Sequence, residues 1–172
     1  MKKYLYLVAI AIVSCGAILS SCSDDKISGD SIFSTKAVER NAFDQWLYKN
    51  YTMPYNIEFQ YRLKTEETEQ AYNFVPADSA KTVKLAILTK YMWFDAYAET
   101  VGLDFIKENA PRIILVTGTP GYTRYRTEVI GSAEGGYKVR LGKVNALTDE
   151  QLKDYGSMNN YYFHTMHHEF MH

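Results

Sequence analysis

Cysteine is almost absent from this sequence of 172 residues: the chain has two, Cys15 and Cys22, both near the amino terminus. From residue 23 onward there is no thiol, which excludes a disulfide framework, a cysteine nucleophile and a thiolate metal site in that part of the chain. Histidine is also scarce, and all four histidines lie between residues 164 and 172. A metal ion bound to this chain must therefore be held by His, Asp or Glu side chains.

Signals of nucleotide or nucleic-acid binding are missing as well. The sequence contains neither G-x-G-x-x-G nor the Walker pattern, and the glycines within 131–136 are typical of a turn. Removing Lys2 and Lys3 with the first 21 residues leaves 17 basic against 20 acidic residues, a net charge of −3. No nucleic-acid partner is predicted from this balance. A hydrophobic content of 47% and a charged content of 23% are those of an ordinary globular domain.

The amino terminus has the pattern of an export signal. Lys2 and Lys3 precede an apolar run, 4–19, that is short for a bilayer span and ends in small residues. The tetrapeptide Leu19-Ser-Ser-Cys22 resembles a bacterial lipobox, whose cysteine is acylated and becomes the first residue of the mature chain. A competing match, Ile12-Val-Ser-Cys15, would leave an apolar stub after cleavage, so Cys22 is the predicted lipidation site. A plain cleaved signal peptide or an uncleaved anchor is the alternative.

The sequence thus predicts three segments: a lipoprotein signal peptide over 1–21, a flexible tether over 22–37, and one domain over 38–172. The tether is rich in Ser, Asp and Gly and has few large apolar residues. The polar and acidic residues directly after Cys22 resemble the export tag of surface-exposed lipoproteins. We therefore expect an outer-membrane lipoprotein that faces the cell surface, with the periplasmic face as the alternative.

Hydrophobic periodicity in the domain predicts an α+β fold, with a mixed or antiparallel sheet of about four strands and a long helix. The long helix should cover 80–101, with Ser79 as its N-cap and Gly102 as its stop. Its predicted inner face is the apolar stripe Val83, Ile87, Tyr91, Phe94, Ala98 and Val101.

The remaining elements are shorter. One helix is predicted from residue 41 until Pro54 ends it, and a short one around 104–108. A third should begin at a capping box at Thr148, and a fourth at Tyr161, after a break at Gly156 and Asn159-Asn160. The predicted strands are 55–63, 112–117, 122–130 and 137–144. The last two should form a hairpin through 131–136.

The residues His168-Glu-Phe-Met-His172 spell H-E-x-x-H. Residues four apart on a helix lie one turn apart on the same face, so His168 and His172 can reach one ion while Glu169 faces a water bound to it. His164 lies two turns from His172, about 12 Å along the helix axis, which is too far for both to bind one ion. His164 and His167 are therefore predicted to be structural or to support the ligands.

This pattern predicts a Zn²⁺ site with His168 and His172 as ligands and Glu169 as the catalytic base. Zinc hydrolases hold the ion with three protein ligands and keep a position for a water whose pKa falls toward 7. No upstream acid has a diagnostic spacing; the candidates are Glu134, Asp149 and Asp154. We therefore expect the third ligand beyond residue 172 and interpret the chain as the front part of a longer protein.

Several segments carry a family resemblance: Asp44-Gln-Trp-Leu47, Pro54-Tyr-Asn-Ile57 with Tyr61-Arg62, Val75-Pro-Ala77, Pro111-Arg112, Ile130-Gly-Ser-Ala-Glu-Gly-Gly136, Val144-Asn145, and His167-His-Glu-Phe170 with His172. They resemble the zinc-binding metallopeptidase lipoproteins associated with outer-membrane substrate import. The resemblance implies a zincin-like domain, here incomplete at its C-terminus, with His168 and His172 as zinc ligands and Glu169 as the base. It also implies a TonB-dependent transporter and a surface binding lipoprotein as functional neighbours.

We therefore expect a zinc-dependent peptidase, anchored to the outer membrane through Cys22, that acts on peptide or glycopeptide during nutrient import. The alternative is a non-catalytic surface lipoprotein whose many tyrosines bind a glycan or a peptide. In the zincin pattern an antiparallel edge strand lies along the cleft and pairs with extended peptide. The strand predicted over 137–144, just upstream of the motif, is the candidate edge strand.

Overall fold

The computed structural model describes residues 39–64, 68 and 71–171, and within this part the chain from Arg40 onward forms one compact unit. The predicted signal peptide, the lipidation site Cys22 and the tether lie outside the described residues, as do His172 and the side chain of Glu169. None of the described helices is both long and apolar enough to cross a membrane.

A mixed sheet of four strands lies at the centre of the described residues. In chain order the strands are β1 (Glu58–Gln60), β2 (Ile113–Val116), β3 (Gly121–Tyr122), β4 (Glu128–Val129), β5 (Gly131–Glu134) and β6 (Lys138–Leu141). The order in the sheet is β1, β2, β6, β5; the first three run parallel, and β5 is antiparallel to β6. Strands β3 and β4 pair separately as an antiparallel ribbon. The predicted α+β class is confirmed.

Strand β2 occupies the middle of the sheet because its residues are apolar on both faces. Ile114, Leu115 and Val116 are all buried, as expected for a parallel strand that is covered on both sides. Strand β1 is shorter than predicted. Its alternation correctly predicted that Phe59 is buried, but Gln60, expected to face solvent, is only 7% exposed. Gln60 departs from the alternation because β1 pairs in parallel with β2, a pairing whose faces are both covered.

The predicted hairpin and the predicted edge strand were wrong. The hairpin joins β5 to β6 through Gly135 and Gly136, whose positive φ values of 54° and 72° only glycine adopts readily. Strand β6, which lies within the segment 137–144, is flanked by β2 on one side and β5 on the other, so its backbone hydrogen bonds are used within the sheet. Strand β5 is therefore the edge on this side of the described sheet.

Three of the described helices contain a π turn, in which an N–H donates to the carbonyl five residues earlier. Helix α1 consists of Ala42–Leu47, a π turn at Tyr48–Thr52, and Met53–Tyr55. Helix α2 consists of Ser79–Thr89, a π turn at Lys90–Asp95, and Ala96–Val101, and helix α5 consists of Tyr155–Met158, a π turn at Asn159–Phe163, and His164–Phe170. Helices α3 (Leu103–Asn109) and α4 (Asp149–Lys153) are regular. Each π turn adds a residue to one turn and rotates the residues that follow it.

Helix α1 passes through Pro54, where the sequence predicted its end. Proline in a regular helix clashes with the carbonyl four residues earlier. The preceding π turn, in which the Met53 N–H donates to the Tyr48 carbonyl, widens the helix at this point and admits the ring. The helix instead ends after Tyr55, where Asn56 adopts the left-handed conformation typical of a helix terminus.

The inner face of α2 differs from the predicted stripe. Of the six predicted residues only Phe94 is fully buried, and Ile87 and Tyr91 are exposed. The buried residues are Thr82, Leu85, Ala86, Thr89, Trp93 and Phe94. Two of them are threonines, which a hydrophobic pattern counts as polar, and the π turn rotates the residues after Lys90. The N-cap is Asp78 rather than Ser79, because the Asp78 carboxylate accepts the Lys81 N–H at 2.9 Å.

Candidate metal site

Helix α5 carries the first three residues of the H-E-x-x-H segment, 168–170, and begins six residues before the predicted start at Tyr161. The Asp154 carboxylate caps it by accepting the Ser157 N–H at 2.8 Å. Gly156 and Asn159, which were expected to break the chain, lie inside the helix, and the π turn absorbs the irregularity. The prediction that the motif lies on a helix is confirmed as far as Phe170.

The inner side of α5 is attached to the sheet. Tyr162, within the π turn, is fully buried and donates its hydroxyl hydrogen to the Gly142 carbonyl at 2.9 Å, directly after β6. Burial raises the pKa of Tyr162, so its hydroxyl stays protonated and can donate. Met158 and Met166, on the same side of the helix, are buried in the core. These contacts determine which side of the helix faces away from the core.

His167 bonds to a neighbouring helix, and the structural role predicted for it stays a prediction. Its Nδ1 atom lies 2.9 Å from the hydroxyl oxygen of Tyr97 on α2, and the ring is partly buried. Burial, and secondarily the neighbouring His164, lower the pKa of His167, which favours the neutral ring. The hydrogen bond connects the histidine-bearing turn of α5 to the last segment of α2.

Aromatic rings hold the end of α5 in place. Phe170 lies at the centre of this aromatic clamp, with ring centroids 5.0 Å from Trp93, 4.8 Å from Tyr97 and 5.3 Å from Phe105. The ring planes meet at 62° to 80°, the edge-to-face arrangement that aromatic pairs favour. The clamp (Trp93, Tyr97, Phe105 and Phe170) thus packs the last turn of α5 against α2 and α3.

His164 and His168 lie on the exposed side of α5. They are four residues apart and therefore one turn apart on the same face. Because His167 and Phe170 are directed toward α2, the exposed side is the one on which the predicted ligand His168 projects. The second predicted ligand, His172, is outside the described residues, and so is the side chain of Glu169.

Within the described residues no three His, Cys, Asp or Glu side chains are close enough together to hold a metal ion. The three upstream acids have other partners: Glu134 pairs with Lys138, Asp149 pairs with Lys84, and Asp154 caps α5. An exposed imidazole such as His168 fits zinc by ligand type. Of the two predicted ligands the structure describes His168, and the assignments of His168, His172 and Glu169 stay predictions.

The edge strand β5 lies along the last segment of α5. At one end, a Cβ atom added to Gly131 would approach the Thr165 Cγ2 atom to 2.7 Å, which shows how closely strand and helix approach. At the other end, a small cavity is lined by Gly136, Met166 and Phe170, among other residues. Strand β5 therefore extends beside the turns that carry the first half of the H-E-x-x-H segment.

The hydrogen-bond register shows which backbone groups of β5 face its outer edge. The Gly142 N–H donates to the Ile130 carbonyl at 2.7 Å, and hydrogen-bonded pairs alternate with non-bonded pairs along an antiparallel ladder. The N–H and C=O groups of Gly131 and Ala133 therefore point away from β6. These are the groups to which a further strand could bond.

Sequence reasoning missed the residues that position the helix, namely Tyr97, Trp93, Gly131 and Thr165. Tyr97 and His167 are 70 residues apart, and no local pattern connects them. The one available signal was the spacing of Trp93 and Tyr97, which places two large rings one turn apart on α2.

Comparisons with known proteins point to a metallopeptidase family. Residues 36–172 match the family model described as "Putative zinc-binding metallo-peptidase". Among solved structures, a crystal structure from Bacteroides caccae with the same description is similar, with 42% sequence identity and a TM-score of 0.60. The match covers 82% of this chain and 52% of that chain, so the sequence spans about half the length of that relative. A search of the curated proteins returned no match.

Proposed function

Because the chain belongs to the family described as "Putative zinc-binding metallo-peptidase", we propose that it is a zinc-dependent peptidase of the H-E-x-x-H type. One observation carries the proposal: residues 168–170 lie on a helix whose inner side is held by Tyr97 and Phe170, so that His168 projects on the exposed side. An edge strand that can pair with peptide lies beside the same helix.

In this proposal His168 and His172 hold the zinc ion, and a third protein ligand comes from outside the described residues. Zinc, when bound, supplies a Lewis acid and lowers the pKa of a coordinated water. Glu169 takes the proton of the attacking water and passes it to the leaving amine. In this proposal His167 positions the helix rather than binding zinc, since its partly buried ring is bonded through Nδ1 to Tyr97 on α2.

The edge strand suggests how substrate is aligned. An extended peptide adding to β5 would bond with the outward N–H and C=O groups of Gly131 and Ala133. This strand replaces the segment 137–144 as the candidate, because β6 lies in the interior of the sheet. Peptide bound in this way would run beside Thr165, one turn before Glu169 on the helix.

The test compares, in the full-length protein, Glu169→Gln with Glu99→Gln, a matched change at an exposed position of α2. Zinc content is measured by metal analysis, and cleavage is measured on a peptide library by mass spectrometry. Glu169→Gln should keep its zinc and lose about 10²-fold or more in cleavage rate, as expected for loss of a general base. The control should keep both. Equal cleavage by the two variants would refute the assignment.

The second candidate function is a non-catalytic surface lipoprotein that binds glycan or peptide. The observation that favours it is a set of exposed tyrosines, namely Tyr91, Tyr122, Tyr125, Tyr137 and Tyr155, each more than half exposed. Aromatic rings of this kind serve ligand contact in many binding proteins. The Glu169→Gln experiment separates the two candidates, because a binding protein has no cleavage rate to lose.

We also propose that the protein is an outer-membrane lipoprotein, acylated at Cys22 and acting in nutrient import beside a TonB-dependent transporter and a surface binding lipoprotein. The lipobox pattern and the family resemblance support this. Labelling with radioactive palmitate should disappear in Cys22→Ala and persist in Cys15→Ala. Labelling lost only in Cys15→Ala would place the anchor at the competing site. Crosslinking in intact cells, followed by mass spectrometry, tests the partners.

A further inference from the structure

The tip of the β3–β4 ribbon is basic, aromatic and exposed. Tyr122 and Tyr125 are 53% and 75% exposed, and Arg124 and Arg126 are exposed beside them. The guanidinium of Arg124 lies 4.7 Å from the ring centroid of Tyr125. Within the described residues neither arginine forms an ion pair, and the tip, 123–127, contains no acidic residue. The two cationic groups are thus presented to solvent.

Hydrogen bonds around Thr123 hold this tip in one conformation. The Thr123 N–H donates to the Thr127 carbonyl at 3.0 Å, and the Arg126 N–H donates to the Thr123 carbonyl at 2.8 Å. The Thr123 hydroxyl oxygen accepts the N–H groups of Tyr125 and Thr127. Arg126 has a φ of 61°, a left-handed conformation that is uncommon for arginine. A preformed tip loses less conformational entropy when it binds a partner.

At the base of the ribbon the charge of Glu128 is neutralised by an ion pair, which lies near helix α5. Glu128 on β4 pairs with Lys143, which follows β6. The hydrogen bond with Glu128 raises the pKa of Lys143 and keeps it cationic. The Lys143 ammonium also lies 5.7 Å from the ring centroid of Tyr161, in the π turn of α5. Because Glu128 is already paired, it does not compete with a ligand for the arginines at the tip.

The ribbon continues directly into the proposed substrate strand. A single residue, Ile130, separates β4 from β5. The tip lies four to eight residues before Gly131, which at about 3.3 Å per residue is at most roughly 13 to 26 Å. A peptide paired with β5 would therefore need about four to eight residues beyond the paired segment to reach the tip.

We propose that the ribbon tip is a subsite for acidic side chains of an extended peptide substrate, whose carboxylates bind Arg124 and Arg126. The inference rests on the proposed function, since it deepens the substrate class of that site. Guanidinium groups bind carboxylates through two parallel hydrogen bonds, and the tyrosine rings beside them can cover the aliphatic part of Glu or Asp. A peptide is favoured over an acidic glycan because only a peptide continues the backbone pairing of β5.

The experiment measures binding of fluorescein-labelled peptides of about twelve residues, enough to pair with β5 and reach the tip. Each peptide carries glutamates at one end or glutamines at the same positions, and EDTA prevents metal-dependent cleavage. The variant Arg124→Gln/Arg126→Gln is compared with Lys49→Gln/Lys107→Gln, which removes two exposed positive charges from α1 and α3. The full chain is used, and affinity is read by fluorescence anisotropy.

The wild-type chain should prefer the glutamate peptide by about two- to twenty-fivefold at low salt, since each of two exposed ion pairs typically contributes about 1.4- to fivefold. The preference should disappear in the arginine variant and persist in the lysine control. Equal affinity for glutamate and glutamine peptides, or an equal loss in the control, would overturn the proposal. Ribbon-dependent binding of an oligouronate with no peptide preference would overturn it in favour of a glycan.

Failure of the proposed peptidase function can be distinguished from failure of the proposed subsite. Ribbon-dependent peptide preference without any zinc-dependent cleavage would support the subsite and refute the peptidase. Cleavage that requires Glu169 but shows no preference for acidic peptides would support the peptidase and refute the subsite.

Discussion

Replacing Tyr97 with Phe tests whether the contact between Tyr97 and His167 stabilises the packing of helix α5 against α2. The substitution removes only the hydroxyl, which lies 2.9 Å from His167 Nδ1, and leaves the ring in contact with Trp93 and Phe170. A hydrogen bond contributes about 0.5 to 1.5 kcal/mol net, and an imidazole nitrogen left without its partner adds a penalty. Because His167 is only partly buried, water can offset some of that penalty. We expect a total loss of about 1 to 2 kcal/mol.

The assay is equilibrium unfolding in urea with EDTA present. Tyr97→Phe, His167→Leu and the double variant form a cycle, whose coupling energy should be about 1 kcal/mol. Tyr91→Phe, a matched change at an exposed position of the same helix, should cost less than about 0.5 kcal/mol. Amide hydrogen exchange within 164–170 should also quicken in Tyr97→Phe, because the loss is local to the end of α5.

Two outcomes would contradict this reasoning. Additive effects of Tyr97→Phe and His167→Leu would show that the two side chains do not stabilise each other. A loss as large in Tyr91→Phe as in Tyr97→Phe would show that any tyrosine on α2 gives the same effect, whether or not it contacts helix α5.

Two further predictions concern the edge strand and acid stability. Gly131→Ala should destabilise the fold by about 1 to 3 kcal/mol, because the new methyl group meets Thr165 Cγ2, and Thr165→Ser should reduce that cost in urea unfolding; an equal cost in both backgrounds would exclude this contact as the cause. Burial alone would raise the pKa of Asp44, but hydrogen bonds from Tyr61 and Arg62, both at 2.7 Å, lower it overall. The stability that Asp44 contributes is therefore fully present above its unfolded pKa of about 3.9 and is lost as the pH falls through the lower folded value. Thermal unfolding of the wild type should weaken more steeply below about pH 4 than that of Asp44→Asn, and parallel curves would contradict the assignment.

Elements governed by neighbouring residues were predicted well. The run Ile113–Val116 is a buried strand, Gly102 ends α2, and the Thr148 capping box begins α4 with both of its hydrogen bonds. Each of these depends on interactions within a few residues, which the local sequence specifies. The helical conformation of His164–Phe170 also belongs to this class.

Elements that depend on distant partners were predicted poorly. The face of α2 was misassigned because its inner side is completed by threonines and rotated by a π turn that the pattern does not reveal. The hairpin was displaced because Gly131–Glu134 becomes a strand by pairing with β6, whose own position depends on its pairing with the more distant β2. A run of small residues has weak strand propensity, so tertiary pairing decides its conformation.

The sequence by itself determined the chemistry available to this protein: two early cysteines, no later thiol, and four histidines confined to nine residues that include H-E-x-x-H. Tertiary structure decided how that chemistry is presented. Contacts with Tyr97 and the aromatic clamp fix the orientation of α5 about its axis, so that His167 faces inward and His168 faces outward. The order of the strands makes β5 the edge beside it. Residue types and helical spacing are properties of the local chain, whereas the exposed side of a helix and the edge of a sheet depend on packing partners many residues away.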